Sequence, residues 1–169
     1  IPFAGHPEWL EGTQFVLKSK EDGAYNLYDV AKGDWAGTLG GPGIFPDTDD
    51  DNALSPDGQW YVGSHRPAPT ELVYTFFRRS DGAYGRSQPV PAKSGGGTVR
   101  IDSAPRWNRS SDTILAPGLD ADGTLQLYLV RLKAGTAESI DTSDIHLEVV
   151  RSLREINSLY AAIALPILS

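Results

Sequence analysis

The stretch DNALSPDGQWYVGSHRPAPTELVYTFFRRSDG, residues 51–82, decides the fold class. A short apolar segment, a polar turn, an alternating segment, a second polar turn and an aromatic segment follow one another in it. In the alternating segment, Trp60 and Val62 are two residues apart, as on one face of a half-buried strand. Asp-Gly dipeptides, which suit hairpin turns, occur at 22–23, 57–58, 81–82 and 122–123. The stretch therefore predicts a meander of antiparallel strands.

The same order of features occurs twice more, in residues 6–34 and 104–135. Two sets of aligned positions give nearly the same spacing between copies, 46 and 53 residues for one set and 46 and 54 for the other. The sets are Gly12, Gly58 and Ser111, and Tyr28, Tyr74 and Tyr128. A single meander cannot bury both faces, so the copies must stack, and this period with about four strands is typical of propeller blades.

Composition agrees with one all-β domain. The chain has 169 residues, of which 40% are hydrophobic and 22% charged, and its 18 Gly and 12 Pro leave only short apolar runs. We predict propeller-type repeats of four-stranded antiparallel meanders in an incomplete ring of three blades; a β-sandwich is the alternative. The predicted units are blades at 1–46, 47–97 and 98–135, and a partly helical tail at 136–169.

Charge and residue usage exclude several function classes. A net charge of −7 leaves no basic stripe for a phosphate backbone, so no nucleic-acid partner is expected. No apolar run approaches the ~20 residues that span a bilayer, so no membrane partner is expected either. The chain has no Cys, which excludes thiolate catalysis, and no Met. Since Ile1 is then not a translation start, we expect a processed chain or a piece of a longer one.

The tail departs from the repeat. A strand through Ile145, Leu147 and Val149 is predicted first, followed by a helix that ends before Pro166. One face of that helix would carry Leu153, Ile156, Leu159 and Tyr160. The tail would serve either to cover a sheet edge or to make a dimer contact.

Acidic residues pose a choice between a cation site and a solvated loop. They are Asp47, Asp49, Asp50 and Asp51. Carboxylate oxygens are the ligands that Ca²⁺ prefers, but the glycine and glutamate spacing of a calcium-binding loop is missing. We therefore favour a solvated acidic loop, and an ordinary hairpin turn for Asp120 and Asp122.

Histidines and arginines supply the remaining candidates. His6, His65 and His146 are too scattered for a recognised metal spacing. His65 and Arg66 are predicted in a Pro-rich loop, where they would meet an anionic sugar or a peptide carboxylate. Basic side chains suited to carboxylates flank Trp107, which is expected to pack between blades. These basic residues are Arg100, Arg106 and Arg109.

Several motifs together resemble the TolB-type propeller repeat over residues 6–134. They are HPEW (6–9), YNLYDV (25–30), LSPDGQWYV (54–62), APRWNRSSDTIL (104–115) and LQLYLV (125–130). The three copies are also similar to the last blades of oligogalacturonate-lyase-like propellers, in which histidines near the inner strands hold a divalent metal. Carried over by position, His6 occupies this slot in the first copy, Asp51 in the second and Ala104 in the third.

This resemblance implies metal-assisted removal of a proton beside a uronate carboxyl group, followed by β-elimination. The implied site residues are His6, His65, Arg66 and Arg106, with His6 and Asp51 as ligands of Mn²⁺ or Ca²⁺. Ala104 cannot ligate a metal, so the implied ligand set is incomplete. The alternative is a non-enzymatic module that binds proteins or ligands.

The resemblance also bears on partners and location. An acidic oligosaccharide is the expected ligand, and the location that it implies is extracytoplasmic or secreted. Because three blades cannot close a ring, further blades or self-association are expected, and two copies would give six blades.

Overall fold

The computed structural model describes residues 3–19, 24–41, 43–46, 48–92, 101–120, 122–133 and 146–150. Every regular element within these ranges is a β-strand, so the prediction of an all-β chain is confirmed for them. These ranges also contain no helix long and apolar enough to cross a membrane. The strand pairings within these ranges are all antiparallel and form three sheets, which we number in chain order.

Each sheet is a meander in which consecutive strands are neighbours. The first sheet contains β1 (Phe3–Trp9), β2 (Gln14–Ser19), β3 (Tyr25–Asp29) and β4 (Asp34–Leu39). The second contains β5 (Thr48–Leu54), β6 (Trp60–Ala68), β7 (Glu71–Arg78) and β8 (Tyr84–Arg86), and β9 (Val90–Pro91) also pairs with β7. The third contains β10 (Arg106–Trp107), β11 (Thr113–Leu119), β12 (Leu125–Lys133) and β13 (His146–Val150).

The last described strand comes from the segment that was predicted to be a separate tail. β13 pairs with β12 along its whole length, from Leu129 opposite Val150 to Lys133 opposite His146. A strand is thus confirmed in this segment, and it forms the outer edge of the third sheet. The helix predicted to follow lies outside the described residues.

One set of aligned positions marks the same turn in every sheet. Between the first and second strands the backbone turns through a left-handed residue: Gly12 has φ 55°, Gly58 has φ 70° and Ser111 has φ 58°. Glycine adopts this conformation without steric cost, whereas serine does not. The first alignment of the repeat is therefore confirmed at the level of the backbone.

The tyrosine alignment is wrong. Tyr28 pairs with Phe15, but the equivalent pairs are Tyr61 with Phe77 and Ile114 with Val130. The reason is the length of the hairpin between the second and third strands. Tyr28 lies 16 residues after Gly12, whereas Phe77 and Val130 lie 19 residues after the corresponding turn residues. Identical residues at matching spacing therefore did not mark identical places in the sheets.

The second sheet is packed on both faces, so residues 61–65 of β6 and 72–77 of β7 are buried. One core lies between the first and second sheets and contains Leu10, Val16, Tyr25, Leu39, Phe45, Tyr61 and Phe77. The other lies between the second and third sheets and contains Ala53, Val62, Leu72, Tyr74, Phe76, Val90, Ala92, Ile114, Ala116 and Val130. Alternate residues of β6 thus contribute to opposite cores.

Gly118 allows the second and third sheets to approach closely. A Cβ at this position would lie 2.6 Å from Val90 Cγ1, 2.7 Å from Tyr128 Cε2 and 2.8 Å from the Pro91 carbonyl oxygen. Contacts this short force backbone or side chains to move.

We expect Gly118→Ala to lower the free energy of unfolding by about 1–3 kcal/mol, the range for overpacked cores. Gly43→Ala is the matched control, because a Cβ there meets nothing within 4 Å. Urea unfolding of both variants checks this expectation. Equal stability of Gly118→Ala and the parent chain would contradict the close packing of β9 on β11.

Candidate functional site

The first strands of the three sheets lie side by side. β5 contacts β1 on one side and β10 on the other. Equivalent positions in these strands can be identified from strand pairing. In each sheet, one residue of the first strand pairs with the residue that lies three positions after the left-handed turn residue. These pairs are Trp9 with Phe15, Leu54 with Tyr61, and Trp107 with Ile114. His6, Asp51 and Ala104 each lie three residues before the first member of the pair, so they occupy equivalent slots.

Asp51 links these slots. Its Oδ1 lies 3.2 Å from His6 Nδ1. Its Oδ2 accepts a hydrogen bond from the Ser103 hydroxyl at 2.8 Å and one from the Ala104 backbone N–H at 3.1 Å. The Asp51 side chain is 15% exposed, whereas that of His6 is 81% exposed. One largely buried carboxylate therefore joins the second sheet to both of its neighbours.

Further hydrogen bonds extend this connection. The Ser64 hydroxyl donates to the Asp51 carbonyl oxygen at 3.1 Å and lies 2.6 Å from the Ser103 hydroxyl. The Asn52 amide donates to the His6 carbonyl oxygen at 3.1 Å. Ser64 and Ser103 are buried. The cluster formed by His6, Asp51, Ser64, Ser103 and Ala104 is called the Asp51 cluster below.

The surroundings of Asp51 favour its charged form. Burial alone would raise the pKa of this carboxyl group, but hydrogen bonds from Ser103, Ala104 and His6 together outweigh burial and lower the pKa below its ordinary value. A carboxylate that accepts several hydrogen bonds is stabilised in this way. Asp51 is therefore ionised at neutral pH, with both oxygens engaged by protein groups.

The implied metal set does not fit this arrangement. The structure brings the two implied ligands, His6 and Asp51, into contact with each other. The third slot holds Ala104, which contributes a backbone N–H donor, not a ligand. Within the ranges that the structure describes, no group of three or more His, Cys, Asp or Glu side chains is placed to hold a metal ion.

The prediction that the acidic residues form a loop is wrong, because their backbone is a strand. Residues 48–51 belong to β5, in which Thr48 pairs with His65 and the register shifts before Asn52. A bulge adds residues to one strand without ending it. The acidic run thus lies on an irregular strand. Asp47 lies outside the described residues.

His65 lies in a strand and not in the predicted Pro-rich loop. It belongs to β6 and is only 9% exposed. Burial and the nearby charge of Arg86 lower the pKa of His65, so its neutral form is favoured. Arg66, the next residue, donates a hydrogen bond to the Ile101 carbonyl oxygen. Arg66 thereby holds the segment that leads into the Asp51 cluster.

The basic residues that flank Trp107 lie in different elements of the structure. Arg106 is exposed at the beginning of β10, where its guanidinium donates to the Pro105 carbonyl oxygen at 3.3 Å. Arg109 is exposed in the following turn. Trp107 packs edge-on against Phe76 and donates through Nε1 to the Ala53 carbonyl oxygen at 3.2 Å. Its predicted packing between repeats is confirmed. Arg100 and the side chain of His146 lie outside the described part of the chain.

Glu8 and the two serines of the Asp51 cluster were missed by sequence reasoning. Glu8 accepts a hydrogen bond from the Leu54 N–H at 3.4 Å. Burial raises the pKa of Glu8, although the Leu54 bond and the charge of Arg106 oppose that rise. Slot equivalence could have indicated Glu8, which aligns with Arg106. Ser64 and Ser103 belong to no motif that would have indicated them.

No family model matches the chain, and no curated protein matches it significantly. The resemblance to TolB-type repeats therefore rests on the quoted motifs.

We expect Asp51→Asn to lower the free energy of unfolding at neutral pH by about 1–3 kcal/mol, because hydrogen bonds to a charged acceptor are worth about that much. The lowered pKa means that the stabilisation is present at neutral pH and disappears as the pH falls below about 4. Asp122→Asn, in an exposed turn, is the control. An unchanged free energy of unfolding for Asp51→Asn in denaturant titrations would show that the carboxylate has no structural role.

The lowered pKa of His65 means that the fold favours the neutral form of this side chain, whereas it favours the charged form of Asp51. Below about pH 6.5 the unfolded chain takes up a proton that the folded chain resists, so the free energy of unfolding falls as the medium becomes more acidic. His65→Gln should reduce this fall between about pH 7.5 and about pH 5.5. Thermal or urea unfolding across this window provides the test, and parallel profiles for both proteins would refute the assignment.

Proposed function

We propose that the three sheets are consecutive blades of a propeller-type protein and that this segment acts as a binding module. The observation that carries this proposal is the engagement of both Asp51 oxygens by donors from the neighbouring repeats. This engagement gives the residue in the implied metal slot a structural task. A binding module needs only that the sheets present their exposed ends in a fixed arrangement.

The stacking of the sheets supports the propeller part of the proposal. In a propeller, four-stranded meanders pack face to face and their first strands line the centre of the ring. Here β1, β5 and β10 are adjacent, and each pair of neighbouring sheets shares an apolar core. A sandwich of two sheets would not give a middle sheet that is buried on both faces.

Metal-assisted elimination would have to dismantle the Asp51 cluster. A cation at Asp51 would compete with the Ser103 hydroxyl and the Ala104 N–H for Oδ2. Leaving a buried donor without an acceptor costs about 1–3 kcal/mol. The other implied catalytic groups are also committed, because His65 is buried and Arg66 binds a backbone carbonyl. A general base must reach the proton that it removes.

An acidic oligosaccharide is the ligand that we propose. His6 and Arg106 are the two implied site residues that stay exposed, and both belong to first strands. The guanidinium of Arg106 can bind a uronate carboxylate through two parallel hydrogen bonds. Neither residue needs a metal for this task. The ligand would therefore bind along the first strands, beside the Asp51 cluster.

The two functions are separated by incubating the chain with polygalacturonate and Mn²⁺ or Ca²⁺. β-Elimination creates an unsaturated uronate that absorbs ultraviolet light, and we expect no rise in absorbance above the protein-free sample. An enzymatic rise would overturn the binding-module proposal in favour of the lyase alternative.

Binding is measured separately by calorimetric titration with a galacturonate oligomer. We expect Arg106→Ala to weaken binding by roughly tenfold, the equivalent of about 1.4 kcal/mol. Arg109→Ala removes an exposed arginine from the adjacent turn and should leave the affinity unchanged. Absence of binding by the parent chain, or equal losses in both variants, would refute the proposed ligand site.

A further inference from the structure

Four aromatic side chains form a row across one face of the first sheet. Trp9, Phe15, Tyr28 and Trp35 come one from each strand and are paired directly with one another in register. The ring centroids of Trp9 and Phe15 are 5.8 Å apart, and those of Phe15 and Tyr28 are 5.5 Å apart. Trp9 is 62% exposed and Trp35 is 58% exposed. We call this set the aromatic row.

Register identifies the equivalent rows of the other two sheets. In the second sheet the row is Leu54, Tyr61, Phe77 and Tyr84. In the third sheet it includes Trp107, Ile114 and Val130. Both of these rows are covered by the preceding sheet. The first sheet covers the second row in one core, and the second sheet covers the third row in the other.

The covering surface has its own register. On β2 and β3 it contains Val16 opposite Leu27, and on β6 and β7 it contains Val62 opposite Phe76. These positions follow the row positions by one residue on the second strand, so they point to the opposite face. Every sheet of this repeat therefore has one face that is covered and another that does the covering.

The third sheet has a covering face of the same kind. Leu115 pairs with Leu129 at the positions equivalent to Val16 and Leu27, and Pro117 pairs with Leu127 beside them. Leu115, Leu127 and Leu129 are only half-buried, and Leu125 at the end of the strand is 66% exposed. Neighbouring apolar side chains that stay partly exposed indicate an interaction surface. Both halves of one more sheet-to-sheet contact thus exist on the same chain.

We propose that the covering face of the third sheet of a second copy docks on the aromatic row. The contact would repeat the two sheet packings already present within the chain. It is heterologous, because two different surfaces meet, and it closes when two copies each supply one of each. This inference rests on the stacking part of the proposed function and not on ligand binding by Arg106.

The chemistry and the area of the aromatic row agree with docking of a second copy of the chain. The row contains no charged side chain, so its burial carries no cost for desolvating a charge. A fully buried aromatic side chain buries about 150–250 Å², and Trp9 and Trp35 still expose 62% and 58% of their surface. The leucines of the covering face add their exposed parts, and a closed pair contains this contact twice, toward the range of about 1,200–2,000 Å² that stable interfaces bury. A flat sugar platform is a poorer match, since the rings of Trp9 and Phe15 are inclined at 68°.

The test is the mass of the 169-residue chain in solution, measured by light scattering during size-exclusion chromatography. We expect twice the monomer mass of 18.2 kDa. Trp9→Glu in the aromatic row and Leu129→Glu in the covering face should each give monomers. Thr70→Glu, in the exposed turn between β6 and β7 of the second sheet, should leave the pair intact. Circular dichroism establishes that each variant retains its strands.

Mixing the two monomeric variants tests the pairing of unlike surfaces. Trp9→Glu retains an intact covering face and Leu129→Glu retains an intact row, so one of the two contacts is restored and a mixed pair should form with lower affinity than the parent pair. A parent chain that stays monomeric would overturn the inference, as would variants that remain monomeric when mixed. Neither result would bear on oligosaccharide affinity, so failure of this inference is distinguishable from failure of the ligand proposal.

Discussion

The hydrogen bonds of the Asp51 carboxylate are the constraint on which the arrangement of the three sheets depends. Apolar cores between sheets favour contact but do not fix the position of one sheet along another, because burial of apolar area is not directional. Asp51 supplies the direction, since His6 meets one oxygen while Ser103 and Ala104 meet the other. Removing this charged acceptor would leave the Ala104 N–H without its acceptor and would take the carboxylate from the Ser103 hydroxyl, which would keep its contact with Ser64.

The stacking that follows uses each sheet in the same way. One face of a sheet receives the preceding sheet and the other face covers the next, so the middle sheet has no open face and its strands are largely buried. The tight contact at Gly118 and the aromatic contact between Trp107 and Phe76 belong to the same packing. At the two ends of the stack, the faces that the described residues leave open are complementary in kind, and this complementarity is the basis of the proposed self-association.

Much of this architecture could be predicted, because turns and alternation are local properties of the sequence. The equivalence of Gly58 and Ser111 needed only their positions between short apolar segments, and the slot of Asp51 followed from it. The environments of His65 and Arg66 could not be predicted, because the Pro-rich stretch around them continues a strand that the neighbouring sheets bury. The partners of Asp51 could not be predicted either, because a serine hydroxyl and a backbone N–H carry no sequence motif and come close to Asp51 only when the sheets stack.

The same constraint is our reason for preferring a binding role to metal chemistry. Asp51, the residue in the implied metal-ligand slot, already has both carboxylate oxygens in contact with protein groups. The most direct measurement of this claim is a double-mutant cycle between Asp51→Asn and Ser103→Ala, with free energies of unfolding determined in urea. We expect a coupling energy of about 0.5–3 kcal/mol, as found for residues in one hydrogen-bond network. Effects that add to within about 0.3–0.5 kcal/mol, as for independent sites, would contradict it.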